Sequence, residues 1–121
     1  MKLEEFEKLV EKAWKSIPKK FREKVDNLLI LVKEEPDETA LKLLKKRGGM
    51  ILGYYKGVPF NRRGVHYSLV PPDTVVIFKN PLERICPTRE ELEAKVREVL
   101  LHEIGHYFGF GEEELRRMGC G

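Results

Sequence analysis

Residues 101–112 have the sequence Leu-His-Glu-Ile-Gly-His-Tyr-Phe-Gly-Phe-Gly-Glu, from which the rest of the chain can be interpreted. An α-helix has about 3.6 residues per turn, so side chains four positions apart lie nearly above one another. His102 and His106 are therefore predicted to direct two imidazoles towards one point, and Glu103 lies on the same helix. Imidazole is a good zinc ligand, and a nearby carboxylate can take a proton from a water that the metal has acidified. We interpret the stretch as a zinc site with His102 and His106 as ligands and Glu103 as the general base.

The alternative is that both histidines are core residues with ordinary hydrogen-bond partners. Apolar residues 99–101 and 107–108 flank the motif, which indicates a helix central to the core. Unpaired His and Glu side chains there would cost on the order of a few kcal/mol each. Metal ligation removes that cost for the histidines, so we favour the zinc site.

The third ligand is expected just beyond the glycine that ends this helix. Gly109 can adopt the left-handed conformation that turns the chain back, and Glu112 is the first choice. Glu113 and Glu114 stay open as alternatives, because spacing does not separate neighbours in an acidic run. Such a run is also common at a helix N-terminus without any metal.

Two further residues are weaker candidates for the third ligand. His66 is the one histidine outside the motif, and a loop histidine is usually solvated or hydrogen-bonded. Cys120 lies next to the chain terminus. We interpret Cys86 and Cys120 as reduced thiols of a cytoplasmic protein, with a bridge between them as the less favoured alternative.

Hydrophobic periodicity predicts the remaining elements. They are a helix over residues 3–17, a short helix opened by Pro18, a buried strand over 27–32, a helix over 37–47 ended by glycines 48 and 49, strands over 50–55 and 73–79, and a last short helix over 112–118. Residues 56–72 are predicted to be mostly loop, with an optional edge strand over 65–70. Asn80 and Pro81 are predicted to end the strand before them.

Several side-chain positions are predicted as well. Phe21 and Val25 are expected to face inward from the second helix, and the inward side of the third is expected to carry four residues: Ala40, Leu41, Leu43 and Leu44. Thr88 is a good N-cap for the motif helix, with Glu91 placed to complete a capping box.

Composition indicates one soluble globular domain spanning residues 1–121. The chain is 41% hydrophobic and 36% charged, with 23 basic and 20 acidic residues and a net charge of +3. No stretch is long enough to cross a bilayer, and residues 1–7 lack the apolar run of a secretory signal. A cytoplasmic location is therefore expected.

Nucleic-acid binding is a further hypothesis, and it is disfavoured. Its candidate residues are Lys42, Lys45, Lys46, Arg47, Arg62 and Arg63. A solvated basic helix end explains most of this set, because basic residues favour helix C-termini. The small net charge also argues against a nucleic-acid surface.

The pattern His-Glu-x-x-His-x-x-Gly-x-x-Glu over residues 102–112 resembles the compact bacterial and archaeal family of zincin-like metallopeptidases, which has a metzincin-type motif. Residues 26–30, 52–59, 72–78 and 80–84 also resemble recurring segments of that family. Together these segments span most of the chain from residue 26 onward.

The resemblance implies an α+β fold, a minimal zincin in which a small mixed sheet packs on an N-terminal helix and an active-site helix. It implies Zn²⁺ bound by His102, His106 and Glu112, with Glu103 as general base. The carboxylate in place of a third histidine departs from classical metzincins and should acidify bound water less. Met118 is expected to pack in the core rather than to form a methionine turn.

The implied function is hydrolysis of peptide bonds in a peptide or protein substrate by a zinc-activated water. The substrate could add a strand to an exposed sheet edge. Tyr54 and Tyr55, with His66 and Tyr67, are weighed as oxyanion donors, but packing with a satisfied hydroxyl is favoured for each tyrosine. The alternative function is a zinc-binding regulatory or adaptor domain with little or no proteolysis. A monomer is favoured.

Overall fold

The computed structural model describes residues 1–47, 50–57, 72–110 and Glu113. These residues form five helices, α1 (Leu3–Lys15), α2 (Lys19–Arg22), α3 (Glu38–Arg47), α4 (Lys79–Ile85) and α5 (Arg89–Tyr107), and three strands, β1 (Leu28–Lys33), β2 (Gly53–Lys56) and β3 (Asp73–Phe78). The α+β class predicted from the sequence is confirmed.

The three strands form one mixed sheet with β3 in the centre. β1 runs parallel to β3, with Leu28 opposite Asp73, whereas β2 runs antiparallel to β3, with Gly53 opposite Ile77. β3 is almost wholly buried because helices cover both of its faces. β1 and β2 are the two edges of the sheet among the described residues.

Each face of the sheet has its own hydrophobic cluster. On one face, α1 and α5 pack together and against Val75 and Ile77, through buried residues that include Phe6, Leu9, Val10, Val96 and Leu100. On the other face, α3 places Ala40 over a smaller cluster of Ile51, Tyr54, Val76 and Phe78. The predicted packing of the sheet on an N-terminal helix and the motif helix is confirmed.

The motif helix begins as predicted. Thr88 Oγ1 accepts a hydrogen bond from the Glu91 backbone N–H at 3.2 Å, which satisfies one of the free N–H groups of the first turn. α5 then continues for 19 residues, over β2 and β3 and alongside α1. This packing carries the histidine motif to one end of the sheet.

Three predicted side-chain environments were wrong. Phe21 is 43% exposed, with Lys20 Nζ 5.2 Å from its ring centre, and Leu41 is 50% exposed. The predicted buried strand is β1, in which Leu29 and Leu31 are 45% and 37% exposed. β1 is an edge strand whose alternate residues face away from α1, on the side where α3 covers the β3 part of the sheet. Val25 is only half-buried.

Helix α4 was not predicted. The preceding strand does end at Phe78, but residues 79–85 then form a helix. Pro81 is compatible with this helix because it lies in the first turn, where the backbone N–H has no partner within the helix. The proline therefore marked the start of a helix as well as the end of a strand.

Cys86 follows α4 as a half-buried free thiol. Burial is the main cause that raises the pKa of this thiol, so it stays protonated at neutral pH. Its alternative partner Cys120, the optional strand over 65–70, glycines 48 and 49, Met118 and all of the predicted last helix except Glu113 lie outside the described residues. None of the described helices is long and apolar enough to cross a membrane.

Candidate metal centre

The end of α5 has the geometry of a Schellman turn. Gly109 has φ of 96°, its N–H donates to the His106 carbonyl at 2.9 Å, and the Phe110 N–H donates to the Gly105 carbonyl at 3.0 Å. Glycine adopts this positive φ without the steric cost that a Cβ would bring. The predicted helix stop at Gly109 is confirmed.

The structure brings His102 and His106 together. Their ring centroids are 4.9 Å apart, with the ring planes at 83° to each other. Both side chains are half-buried, on the last two turns of α5. Two imidazoles at this separation have the donor type and proximity that a single zinc ion requires.

The turn at Gly109 also sets the protonation of one ring. His106 Nδ1 lies 2.9 Å from the Phe110 carbonyl oxygen. A carbonyl oxygen accepts and cannot donate, so Nδ1 must carry the hydrogen. In the neutral ring the lone pair is then on Nε2, the tautomer in which an imidazole binds a metal through Nε2. The donor set on α5 therefore fits zinc.

Glu103 is buried, with 8% of its surface exposed. It is the residue after His102, on the same turn of α5. Consecutive residues of a helix are about 100° apart, so Glu103 adjoins His102 on the helix surface. The sequence order His-Glu-x-x-His on one helix is the arrangement in which the glutamate is expected to act as general base.

The favoured third ligand, Glu112, lies outside the described residues, as do Glu114, His66 and Cys120. Glu113 is described and is exposed. Within residues 1–47, 50–57, 72–110 and Glu113, no group of three His, Cys, Asp or Glu side chains is placed to hold a metal ion. The structure thus brings the two histidines together, with Glu103 on the same helix, and the described part of the chain adds no further ligand.

Tyr107, next to His106, makes a contact that sequence reasoning missed. Its side chain is fully buried, and its hydroxyl accepts from the Asp26 backbone N–H at 2.7 Å and donates to the Asp26 carbonyl at 2.6 Å. In the sequence Tyr107 counted only as an apolar neighbour of the motif. The available signal was its hydroxyl, since a buried tyrosine needs a hydrogen-bond partner.

A second tyrosine adjoins this contact. The Tyr55 ring meets the Tyr107 ring edge-on, with centroids 6.3 Å apart, and the Tyr55 hydroxyl donates to Asp73 Oδ2 at 2.5 Å. Asp73 is buried at the start of β3. Gly57 lies against it, and a Cβ there would collide with the Asp73 side chain. The predicted satisfied hydroxyl is confirmed for Tyr55.

Tyr54 lies on the opposite face of the sheet. Its hydroxyl donates to Asp37 Oδ2 at 2.8 Å, so a satisfied hydroxyl is confirmed here too. Burial and the neighbouring Asp37 carboxylate raise the pKa of Tyr54 to about 12. Tyr54 belongs to the structural cluster under α3 rather than to the histidine site.

Residues 25–121 match a family described as zincin-like metallopeptidase. The chain belongs to the zincin-like metallopeptidase family. The matched region begins at the turn before β1 and includes the whole sheet, α5 and the motif, whereas α1 and α2 precede it. Membership supports a peptidase function and a general dependence on zinc. A comparison with curated proteins gave no match.

The basic residues weighed for nucleic-acid binding are only partly described. Lys42 and Lys45 are exposed on α3, as expected for a solvated basic helix end. The side chains of Lys46 and Arg47 and the whole of Arg62 and Arg63 lie outside the described part of the chain. The prediction that the protein does not bind nucleic acid stays a prediction.

Proposed function

We propose that this zincin-like protein is a zinc-dependent peptidase. His102 and His106 would hold the metal together with Glu112, and Glu103 would be the general base. The observation that carries the proposal is the pairing of the two imidazoles on α5, with the tautomer of His106 set by the Phe110 carbonyl. The family's general dependence on zinc supports the choice of metal.

The proposed mechanism gives metal binding to the two histidines and proton transfer to Glu103. When bound, zinc would supply the positive charge that lowers the pKa of a water and polarises the carbonyl of the bond to be cleaved. The Glu103 carboxylate accepts the proton from the water and later donates it to the leaving amine. His102 and His106 would be occupied as ligands, which leaves Glu103 as the group that moves a proton. The buried position of Glu103 keeps bulk water away from that carboxylate.

The substrate is proposed to be an extended peptide segment lying along β2. β2 is one of the two edges among the described strands and packs against α5, whereas β1 packs against α1. Tyr55 of β2 touches Tyr107, the neighbour of His106. A peptide that extended the sheet at β2 would therefore pass close to the histidines, held by main-chain hydrogen bonds.

We also propose that the protein works in the cytoplasm as a monomer. The free Cys86 thiol is compatible with a reducing compartment. The small excess of positive charge, +3, supports a peptide substrate over a nucleic acid.

The test separates metal binding from hydrolysis. The zinc-loaded protein is incubated with a peptide library and with unfolded proteins, beside Glu103→Ala, Glu98→Ala and His106→Ala. Glu103→Ala should keep the zinc and lose about 100-fold or more in rate, the usual contribution of a general base. Glu98→Ala is the matched control, because Glu98 is exposed on the same helix and forms an ion pair with Lys95; it should keep both properties.

Two results would change the conclusion. Metal content that is equal and near zero in the wild-type protein and in His106→Ala would remove the basis for the zinc site. Zinc in the wild-type protein without cleavage of any substrate in the panel would favour the zinc-binding regulatory or adaptor domain instead.

A further inference from the structure

We propose that Tyr107 is a positioning residue for the metal centre, holding the last turn of α5 in place through its paired hydrogen bonds to Asp26. The inference rests on the proposed function, because it concerns the site formed by His102 and His106. Tyr107 would touch neither metal nor substrate in this role. It would act through His106, its neighbour in the chain.

The last turn of a helix needs such support. Helix ends fray, and the final carbonyl groups lack partners within the helix. α5 ends at Tyr107, so His106 lies in the turn most prone to fraying. A metal ligand must be held to within roughly 0.5 Å of its productive position. The Schellman turn at Gly109 supports this end from beyond the helix, and Tyr107 is placed to support it from the side of the sheet.

The Tyr107 hydroxyl is well suited to fix a position. It accepts from the Asp26 N–H at 2.7 Å and donates to the Asp26 carbonyl at 2.6 Å, so one oxygen forms hydrogen bonds with both backbone polar groups of a single residue. Its ring is fully buried. Two short bonds from a buried ring oppose both rotation and sliding of the helix end.

The contact between Tyr107 and Asp26 is linked directly to the sheet. Asp26 lies just before β1, and the neighbouring Asn27 carbonyl accepts from the Asp73 N–H at 3.0 Å, which joins it to β3. The Tyr107 ring also touches Tyr55 of β2. The end of α5 is thereby tied to all three described strands, including the edge proposed to bind substrate.

The experiment compares Tyr107→Phe with Tyr54→Phe. Both changes remove one hydrogen-bonded hydroxyl from a buried tyrosine, but Tyr54 bonds to Asp37 on the opposite face of the sheet. Zinc affinity is measured by competition with a chromophoric chelator, and the visible absorption of the cobalt(II) form reports ligand geometry. Urea unfolding of each apo-protein shows that the variants are folded under the binding conditions.

If Tyr107 positions the ligands, Tyr107→Phe weakens zinc binding about tenfold or more, the usual effect of losing a group that orients a metal ligand. Its cobalt spectrum shifts as well. Tyr54→Phe changes the affinity by about twofold or less, even where its loss of stability is similar. Equal affinities and spectra for the two folded variants would overturn the positioning role while leaving the zinc site intact. A wild-type protein without metal affinity would instead overturn the proposed function, and the inference with it.

A second measurement applies if Tyr107→Phe does not fold. Coupling between two sites is reciprocal. If the contact between Tyr107 and Asp26 favours zinc binding, zinc binding must therefore strengthen that contact. Amide hydrogen exchange is followed in the wild-type protein with and without zinc. The Asp26 N–H should gain more protection than the Ala40 N–H, which donates to Asp37 on the other face. Equal gains at the two amides would overturn the proposal.

Discussion

The carbonyl oxygen of Phe110 lies 2.9 Å from Nδ1 of His106, and the Gly109 turn between them creates this contact. The same turn closes the helix by hydrogen bonds to the carbonyls of Gly105 and His106. One local conformation therefore ends α5 and sets the tautomer of a proposed metal ligand.

Gly109→Ala should weaken zinc binding. Alanine at a φ of 96° is strained by roughly 1 kcal/mol or more, so the turn relaxes and the Phe110 carbonyl moves away from His106. We expect a loss of about tenfold in zinc affinity, as for other groups that orient a ligand. Ala94→Gly is the control, because it destabilises the exposed side of α5 by about 1 kcal/mol far from the turn. Equal zinc affinities for the two variants would contradict this account.

Removing the metal should lower thermal stability. A ligand that binds only the folded state stabilises it by about 2.7 kcal/mol when present at about 100 times its Kd. The unfolding temperature of the wild-type protein should therefore fall when a chelator is added and recover with excess zinc. His106→Ala should show neither change. A chelator effect of the same size in both proteins would mean that the zinc binds elsewhere.

Asp37 should stabilise the fold at neutral pH and much less in acid. Burial alone would raise the pKa of this carboxyl, but hydrogen bonds from Lys33, Ala40 and Tyr54 outweigh it and hold the pKa below its ordinary value. A depressed pKa contributes stability above the unfolded-state value, and that stability is lost as the pH falls through the folded-state value.

The check is urea unfolding of the wild-type protein and Asp37→Asn at neutral and acid pH. At pH of about 7 the variant should lose roughly 1–2 kcal/mol, because the amide keeps one oxygen for the Ala40 N–H but lacks the charge and the second acceptor oxygen that Lys33 and Tyr54 use. The difference should shrink at pH values below the folded-state pKa of Asp37. Glu34→Gln serves as the control, since Glu34 is exposed between β1 and α3. A difference that did not depend on pH would rule out the carboxylate as its source.

Gly57→Ala should disturb the hydrogen bond between Tyr55 and the buried Asp73. The added Cβ would collide with the Asp73 side chain, and φ of 154° at this position is one that other residues rarely adopt. We expect a loss of about 1–3 kcal/mol in the free energy of unfolding. Lys56→Ala, at the exposed neighbouring position, should change it by about 0.5 kcal/mol or less. Similar stabilities for the two variants would show that the site tolerates the methyl group.

Sequence periodicity predicted most elements because each is a local property, whereas the class of fold was implied by the family resemblance. The amphipathic spacing of α1, the Thr88 cap and the Gly109 stop depend on neighbours within a few residues. The pairing of His102 with His106 is local for the same reason, since four residues span one turn of a helix. The family resemblance followed from this local pattern and is supported by the match over residues 25–121.

Burial was predicted less well, because it depends on which elements meet. Leu29 and Leu31 are as apolar as the buried residues of β3, but β1 is an edge strand and α3 leaves them partly exposed. Helix α4 was missed because Asn80 and Pro81 are compatible with the end of a strand and with the first turn of a helix. Only the packing of residues 79–85 against the core selects between the two.

By itself, then, the sequence determined a short-range pattern: a capped helix, two imidazoles and a carboxylate on its final turns, and a glycine that reverses the chain. The tertiary structure alone decided that this helix end is tied to the sheet, through Tyr107 and Asp26, which are 81 residues apart in the chain. Contacts between such distant residues produce no periodic pattern in the sequence, because they depend on how the strands align and on which helix covers them. The residue types of the proposed site are therefore set by the local sequence, whereas the support of its helix end comes from the fold.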